Sequence, residues 1–263
     1  MNSFKQFVCL SGLPRTGSTL LSALLSQNPA IHAEGNSAVC QLMWDTQQSC
    51  LTSANQQLVA TNRQFSTMSA LMSQIPHIYY QGITEQIVVD KCRSWTLLPN
   101  IEMLRKYVDA NIKIIVMERP IREIVASFIK LYRKNGWLPD NEVEQNILKP
   151  NSEPIMRSIA GINWAKKNNQ NNTFIFISYL ELVTDPAATL DKIYAFCGLT
   201  PFTGHDYINI VSKYPENDAI YKLDGQHFVR SSIGAEIGPD QLSNKLQQQC
   251  KLIDDIMGLG YCI

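Results

Sequence analysis

The sequence lacks an excess of charge of either sign, because its 23 Lys and Arg residues balance its 23 Asp and Glu residues. A balanced chain is not built as a general nucleic-acid binder, so an anionic ligand needs a local cluster of donors. Runs of about 18 apolar residues are lacking too, and residues 1–5 do not begin an apolar stretch with a cleavage site. We therefore expect no nucleic-acid partner, no membrane span and no signal peptide.

Metal-binding patterns of cysteine and histidine are also missing. The seven cysteines are scattered without a Cys-x-x-Cys pair, and the four histidines have no ligand spacing. Scattered reduced thiols are typical of cytoplasmic proteins, whereas secreted domains pair their cysteines. We expect a cytoplasmic protein without a metal site.

The sequence does contain an alternation of short apolar runs and longer helical patterns, which is typical of parallel α/β folds. Unbroken apolar runs predict buried strands over residues 7–10, 87–89, 112–117 and 174–177. Helical spacing and capping residues predict helices over 18–27 and 120–134, from 185 onward, and over 239–257. These elements predict a P-loop-like, three-layer α/β/α fold around a central, mainly parallel sheet.

The length of 263 residues suits one large domain, and we interpret residues 1–263 in this way. Two stretches have no strand signal. Residues 36–76 are polar, Gln-rich and largely helical in pattern, and residues 137–154 form an irregular excursion. By elimination, we expect both to be insertions that cover the open edge of the sheet, where a substrate would bind.

The segment from Gly12 to Thr19 has the layout of a phosphate-binding loop, because a glycine-containing turn there joins a strand to a helix. Free N–H groups and the helix dipole favour an anion at such a helix start. The glycines have the spacing of the G-x-x-x-x-G-K-[ST] pattern, but Ser18 replaces its lysine. The loop offers Arg15 and three hydroxyls instead, those of Thr16, Ser18 and Thr19. The alternative is a turn that binds nothing.

A second group of donors surrounds the start of the 120–134 helix. Arg119 ends the preceding strand, a second arginine lies in the first turn, and Ser127 lies about two turns further on. Cations oppose the dipole at a helix N-terminus, so two arginines there favour a bound anion. Arg119 could hold a phosphate through two hydrogen bonds while Ser127 donates a third. Alternatively, Arg119 pairs with Glu118 or Glu123.

Together, the two segments resemble the signature motifs of the PAPS-dependent sulfotransferases, where PAPS is 3′-phosphoadenosine 5′-phosphosulfate. The matching residues are Pro14-Arg15-Thr16-Gly17-Ser18-Thr19-Leu20 and Arg119-Pro120-Ile121-Arg122-Glu123-Ile124-Val125-Ala126-Ser127. The resemblance implies that the first segment binds the 5′-phosphosulfate of PAPS, and that Arg119 and Ser127 bind its 3′-phosphate. The pattern is closer to the bacterial and tyrosylprotein branch than to the cytosolic small-molecule branch.

Two further segments resemble that family. Lys91 follows the second predicted strand, where this branch carries a lysine near the transferred sulfuryl group; the alternative is a solvated charge at a strand end. Tyr179 opens a segment similar to the family's Tyr-Glu-x-Leu-Val…Pro motif, which implies donor binding. The loop, Lys91, Arg119 and Tyr179 each follow a predicted parallel strand, and open α/β sheets bind ligands at that edge.

The general base is the least specified part of the predicted site. The resemblance places a catalytic glutamate near Glu34, although the spacing is shorter than in that branch and direct counting lands on Asn36. His32 is the competing base, because a neutral imidazole accepts protons near pH 7. A residue elsewhere in the chain is the third possibility.

A late segment, residues 225–232, is basic and rich in hydroxyl groups. Related enzymes close a late loop over the nucleotide, which implies that Arg230 with Ser231 or Ser232 binds the donor. A flexible surface loop is the alternative. His227 in this segment is typical of a surface residue and receives no role.

These observations predict a sulfotransferase that moves a sulfuryl group from PAPS to a hydroxyl or amine of a small or peptidic acceptor, by in-line displacement without a metal. Arg15 and the loop amides would hold the 5′-phosphate. Lys91, with Ser18 or Thr19, would stabilise the bridging oxygen. One alternative is a kinase or NTPase using ATP and Mg²⁺, which the missing loop lysine disfavours. The other is a nucleotide-binding protein without activity.

Overall fold

A computed structural model describes residues 4–137, 140–150, 155–169, 172–234 and 242–259. Its strands are β1 Gln6–Gly12, β2 Ile31–Asn36, β3 Ile87–Lys91, β4 Lys113–Glu118 and β5 Phe174–Ser178. Its helices are α1 Ser18–Leu25, α2 Val39–Cys50, α3 Ser53–Thr61, α4 Phe65–Tyr79, α5 Leu98–Tyr107, α6 Ile121–Lys134, α7 Asp140–Asn146, α8 Met156–Lys167, α9 Tyr179–Thr184, α10 Pro186–Cys197 and α11 Asn244–Met257. Two 3₁₀ turns are Arg93–Thr96 and Asp218–Tyr221.

The five strands form one parallel sheet in the order β2-β3-β1-β4-β5. The predicted α/β class and the four predicted strands are confirmed. The prediction missed β2, in which only Ile31, His32 and Ala33 are buried. Because β2 is an edge strand that pairs with β3 alone, it needs no unbroken apolar run, and its polar residues hid it.

Side chains alternate between two buried layers, as expected for a sheet covered on both faces. On β1, Phe7 and Cys9 pack into one apolar cluster with residues of α5, α6 and α8, whereas Val8 and Leu10 pack into the other with residues of α1 and α10. Each face of the sheet therefore has its own apolar core. This explains why the strands are unbroken apolar runs and do not alternate apolar with polar residues.

The predicted helices are confirmed with shifted ends. The first ends at Leu25, before the predicted residue 27. The last begins at Asn244 and not at 239, because the Ser243 hydroxyl accepts a hydrogen bond from the Leu246 N–H and caps it. Residues 239–241 lie outside the described residues. The 36–76 stretch is helical as predicted, whereas the 137–154 excursion contains a helix, α7, that was not.

The order of the strands places the β1–α1 loop at the centre of the sheet edge. β1 lies between β3 and β4. After β1, the chain forms β2 and β3 on one side of it and then crosses over to form β4 and β5 on the other side. A crevice opens at such a switch point, beyond the carboxyl ends of the strands. No helix among the described residues is long and apolar enough to cross a membrane.

Candidate active site

The β1–α1 loop takes left-handed backbone conformations at Gly12, Arg15 and Gly17, with φ of 137°, 61° and 86°. Glycine is required at Gly12 because a Cβ there would collide with the carbonyl oxygen of Met117 on the paired strand β4. At Gly17 a Cβ would come within 2.7 Å of the Tyr179 ring, which packs against the loop. The loop shape therefore depends on both glycines.

We expect Gly12→Ala to lower the free energy of unfolding by roughly 2–3 kcal/mol, because alanine is strained at this φ and would push β4 away. The matched control is Gly82→Ala, since Gly82 has open space around its Cα and no left-handed conformation. Urea denaturation of both variants tests this. Equal stability of the two would contradict the account of the loop.

The two arginine segments meet in space. The Arg15 Nε donates to the Ser127 hydroxyl at 3.0 Å, across 112 residues of sequence. The Arg119 Nη1 donates to the carbonyl oxygen of Arg15 at 3.1 Å, and its guanidinium lies 4.2 Å from the centre of the Tyr179 ring. Burial, followed by the nearby Arg119, lowers the pKa of Arg15. Two guanidinium groups held together in this way favour an anion between them.

The alternative pairing of Arg119 with a carboxylate is also present. The Arg119 Nε donates to Glu123 Oε2 at 2.8 Å, one turn along α6. Glu118 pairs with Lys166 instead, at 2.8 Å. Arg119 thus bonds Glu123 through one edge of its guanidinium and Arg15 through another. These partners hold the planar group in a fixed orientation at the cavity that Ser127 also lines.

Lys91 extends from the end of β3 toward the loop. Its Nζ lies 3.3 Å from the Thr19 hydroxyl and 2.7 Å from Glu216 Oε1. Burial lowers the pKa of Lys91, although the carboxylate of Glu216 raises it. The alternative interpretation, a solvated charge at a strand end, does not describe this buried side chain, whose exposed fraction is 6%.

Asp90 fixes the strand end from which Lys91 extends. Its carboxylate accepts hydrogen bonds from the Ser37 hydroxyl, the Tyr80 hydroxyl and the Trp95 indole N–H. Asp90 is fully buried, and burial raises the pKa of its carboxyl. Adjacent residues on a strand point to opposite faces, so an anchored Asp90 directs Lys91 toward the loop.

A cavity of about 1180 Å³ opens over these residues. Among the described residues, the charged side chains that line it are cationic apart from Glu123. The lining cations are Arg15, Lys91, Arg93, Arg119, Arg122, Lys130, Arg133 and Arg230. The net charge of the chain is zero, so this concentration of positive charge is a local feature of the cavity. The volume of the cavity slightly exceeds the range of about 300–1,000 Å³ that is typical of small-molecule sites. The cavity therefore has room for a nucleotide and a second ligand.

The structure brings most of the predicted site residues together around this cavity. The lining includes Pro14, Arg15, Gly17, Ser18, Thr19, Lys91, Arg119, Ser127, Tyr179 and Arg230. Thr16 is not among them, because its buried hydroxyl donates to the Leu13 carbonyl oxygen at 2.7 Å. Ser231 is also outside the lining, whereas Ser232 belongs to it.

Glu34 lies on β2 and is not part of the cavity lining. Its Oε2 lies 3.2 Å from Nε2 of His32, the competing base, which is buried between Glu34 and Glu85. From the predicted insertions, only Asn36 reaches the lining among the described residues. The late segment, residues 225–232, contributes to the lining instead, together with its neighbours Leu223, Ile233 and Gly234.

Two polar residues near Lys91, Glu216 and Asp218, were not predicted from the sequence. His227 was interpreted as a surface residue without a role, but its side chain is only 9% exposed. Glu216 occupies the space over Gly35, where a Cβ would collide with its side chain. His227 lines the cavity, and its ring contacts Asp218. These residues lie in a part of the chain without strands or long helices, so no periodic pattern singled them out.

A parallel α/β sheet whose β1–α1 loop opens onto a cationic cavity defines a P-loop-like fold with an anion site at its centre. The sequence matches the model of the sulfotransferase family over residues 8–204. The chain therefore belongs to the sulfotransferase family, as the two segments predicted. No curated protein sequence matches it.

Solved structures share this fold at low sequence identity. The sulfotransferase domain from the curacin biosynthetic pathway is 18% identical, with a TM-score of 0.63, and the match covers 98% of this chain and 99% of that one. Mouse SULT7A1 complexed with PAP is 14% identical, with a TM-score of 0.56 over 99% and 86% of the two chains. Retinol dehydratase in complex with androsterone and PAP is 13% identical, with a TM-score of 0.54 over 100% and 83%.

Proposed function

We propose that this protein transfers the sulfuryl group of PAPS to a hydroxyl or amine of a small or peptidic acceptor, by in-line displacement without a metal. The contact between Arg15 and Ser127 is the main support for this proposal. It joins the two segments that resemble sulfotransferase motifs within one cationic cavity. Two phosphates of one nucleotide require two such groups of donors close together. Two of the similar structures hold PAP, the nucleotide that PAPS becomes when it loses its sulfuryl group.

The donor's 5′-phosphate would lie against the β1–α1 loop. Arg15 supplies charge, and the amides at the start of α1 supply donors. The 3′-phosphate would lie beside Arg119, which directly precedes the Pro120 cap of α6, and Ser127, which lies in the second turn of that helix. Tyr179 supports both groups, because it packs on Gly17 and under Arg119.

Lys91 would stabilise the transfer itself. During transfer the bond between sulfur and the bridging oxygen breaks, and negative charge grows on that oxygen. The Lys91 ammonium and the nearby Thr19 hydroxyl, with Ser18, can donate to it. Protein contacts fix these donors in place, since Glu216 bonds the Lys91 side chain and Trp95 bonds the adjacent Asp90.

Transfer without a metal is consistent with the chemistry of the lining. Mg²⁺ prefers carboxylate oxygens, and Glu123, the one acidic side chain in the described part of the lining, already bonds Arg119. Cationic side chains provide the neutralisation instead. The same feature disfavours the kinase or NTPase alternative, together with Ser18 at the position of the loop lysine.

We expect 3′,5′-ADP and PAPS to raise the melting temperature of the protein in metal-free buffer with EDTA, because a ligand that binds only the native state stabilises it. At 100 times Kd the gain is about 2.7 kcal/mol. Thermal denaturation with 3′,5′-ADP, PAPS and ATP–Mg²⁺ in parallel measures this. A response to ATP–Mg²⁺ alone would point to the kinase alternative. Binding of 3′,5′-ADP without any cleavage of PAPS would point to a nucleotide-binding protein without activity.

The resemblance to the bacterial and tyrosylprotein branch stays a prediction, as does the single domain over residues 1–263 with insertions at 36–76 and 137–154. Transfer assays with a small alcohol, a phenol, an amine and a peptide as acceptors would define the acceptor class.

A further inference from the structure

His227 and Asp218 form a hydrogen-bonded pair at the edge of the cavity. The Nδ1 atom of His227 lies 2.7 Å from Asp218 Oδ1, and the backbone N–H of His227 donates to Asp218 Oδ2 at 3.0 Å. The Asp218 carboxylate therefore contacts both the ring and the backbone of His227, which fixes their relative positions. The His227 side chain is 9% exposed, so its ring is held in place.

The contacts around the ring define which nitrogen is free to accept a proton. Because Asp218 is a carboxylate acceptor, Nδ1 carries the hydrogen of the neutral ring. The opposite nitrogen, Nε2, lies 3.4 Å from the amide nitrogen of Gln226, a donor, which is consistent with a lone pair on Nε2. A ring oriented by a carboxylate with Nε2 unprotonated is the arrangement of a general base.

Nε2 lies near the ion pair that Glu216 forms with Lys91. It is 3.5 Å from Glu216 Oε2, and the other oxygen of that carboxylate is 2.7 Å from Lys91 Nζ. Asn36 also donates to Glu216, at 3.3 Å. A single carboxylate therefore separates the imidazole from the ammonium. This chain of contacts places His227 close to the position proposed for the sulfuryl group.

We propose that His227 is the general base of the transfer, that Asp218 is its positioning residue, and that Glu216 stabilises the protonated ring. The inference rests on the proposed function. The acceptor O–H gives its proton to Nε2 as its oxygen bonds to sulfur, and the bond from sulfur to the bridging oxygen breaks, releasing 3′,5′-ADP. The imidazolium then lies between two carboxylates, those of Asp218 and Glu216, which favours its formation.

Glu216 is less suited to be the base itself. It is already bonded to Lys91, to Asn36 and, at a longer distance, to His227, so its oxygens face donors rather than the cavity. It is not part of the cavity lining, whereas His227 is. Glu34 also lies outside that lining.

The test compares His227→Asn with the wild-type protein, using PAPS and two probe acceptors. Asparagine keeps a donor toward Asp218 but has no basic nitrogen. One probe, 4-methylphenol, must lose a proton during transfer; the other, 4-nitrophenol in mildly alkaline buffer, is largely ionised beforehand. We expect transfer to 4-methylphenol to fall about 100- to 1,000-fold, transfer to 4-nitrophenol to fall far less, and 3′,5′-ADP affinity to be retained. A merely structural role for His227 would reduce both transfers alike.

The pH profile gives a second readout. Transfer to 4-methylphenol that depends on a general base should decline in acid, and His227→Asn should lose this acidic limb. The charged and titratable groups that face the ring are Asp218, Glu216 and Tyr221, with Lys91 beyond Glu216. Glu216→Gln should alter the position of the limb without removing it.

Control variants separate the outcomes. His205→Asn makes the same change outside the cavity and should leave transfer unchanged. Glu34→Gln is measured in parallel, and a larger loss there than in His227→Asn would overturn the inference. So would equal losses with the two phenols. If the wild-type protein neither binds 3′,5′-ADP nor cleaves PAPS, with a phenol or with water as acceptor, the proposed function itself fails.

Discussion

Replacing Lys91 by alanine is expected to lower kcat for sulfuryl transfer by about 100- to 1,000-fold, because a prearranged donor to the developing charge is lost. Donor affinity should change less, since the phosphates are held by Arg15 and Arg119. The measurement is single-turnover cleavage of PAPS with saturating enzyme. Unchanged transfer would mean that Lys91 serves only the packing of the strand end.

The variant has one structural side effect that a second substitution can remove. Loss of Lys91 leaves the Glu216 carboxylate, whose side chain is 11% exposed, without its closest partner. An unpaired buried charge destabilises a fold. The double variant Lys91→Ala with Glu216→Gln should therefore recover stability in urea denaturation but not transfer. Recovery of transfer would show that the stray carboxylate, and not the missing ammonium, caused the loss.

The charge of Lys91 also predicts a pH dependence. Burial lowers its pKa against the opposing effect of Glu216, and only the ammonium form gives the leaving oxygen a charge-assisted hydrogen bond. Transfer should therefore decline as the pH rises through this lowered pKa. Lys91→Arg should move the decline to higher pH, because a guanidinium stays charged. A decline at the same pH in both proteins would assign it to another group.

Replacing Arg119 by alanine is expected to raise the Kd for 3′,5′-ADP by about 100-fold, because a charge-assisted pair of hydrogen bonds contributes about 3 kcal/mol. Adenosine 5′-phosphate lacks the 3′-phosphate, so the same substitution should weaken its binding much less. Calorimetric titration of both nucleotides measures the difference. Arg119→Lys should give an intermediate Kd, since lysine keeps the charge without the planar fork.

Arg119 also donates to the carbonyl oxygen of Arg15, and the two ligands separate these roles. Equal losses for both nucleotides would mean that Arg119 shapes the loop rather than binding the 3′-phosphate. Lys192→Ala removes one surface charge outside the cavity and controls for net charge. The variant Arg119→Ala with Glu123→Gln controls for the carboxylate that loses its partner.

Local signals predicted most of the fold. Strands buried on both faces read as unbroken apolar runs, and helices ended at recognisable caps, so β1, β3, β4, β5 and α6 were predicted near their observed positions. β2 was not predicted in this way, because an edge strand that pairs with one other strand can contain polar residues. α7 was missed for a similar reason, since a short polar helix lacks an apolar periodicity.

Local patterns in the sequence predicted an anion site between two segments. These local patterns are the spacing of Gly12 and Gly17, the arginines Arg15 and Arg119, and the hydroxyl of Ser127 about two turns along a helix. Their order along the chain pointed to the family. The tertiary structure brings the segments together, with Arg15 bonded to Ser127 and Lys91 bonded to Thr19. It also decided which hydroxyls face the cavity, and it turned Thr16 inward.

The surroundings of the proposed reaction were decided by tertiary structure alone. Glu216 reaches Lys91 across 125 residues of sequence, over a glycine that leaves space for it. Asp218 and His227 follow in a segment that lacks periodic structure, where a single acid or imidazole has no pattern to distinguish it. Periodicity and caps arise from contacts between near neighbours in sequence, whereas a base is defined by distant residues that packing brings together.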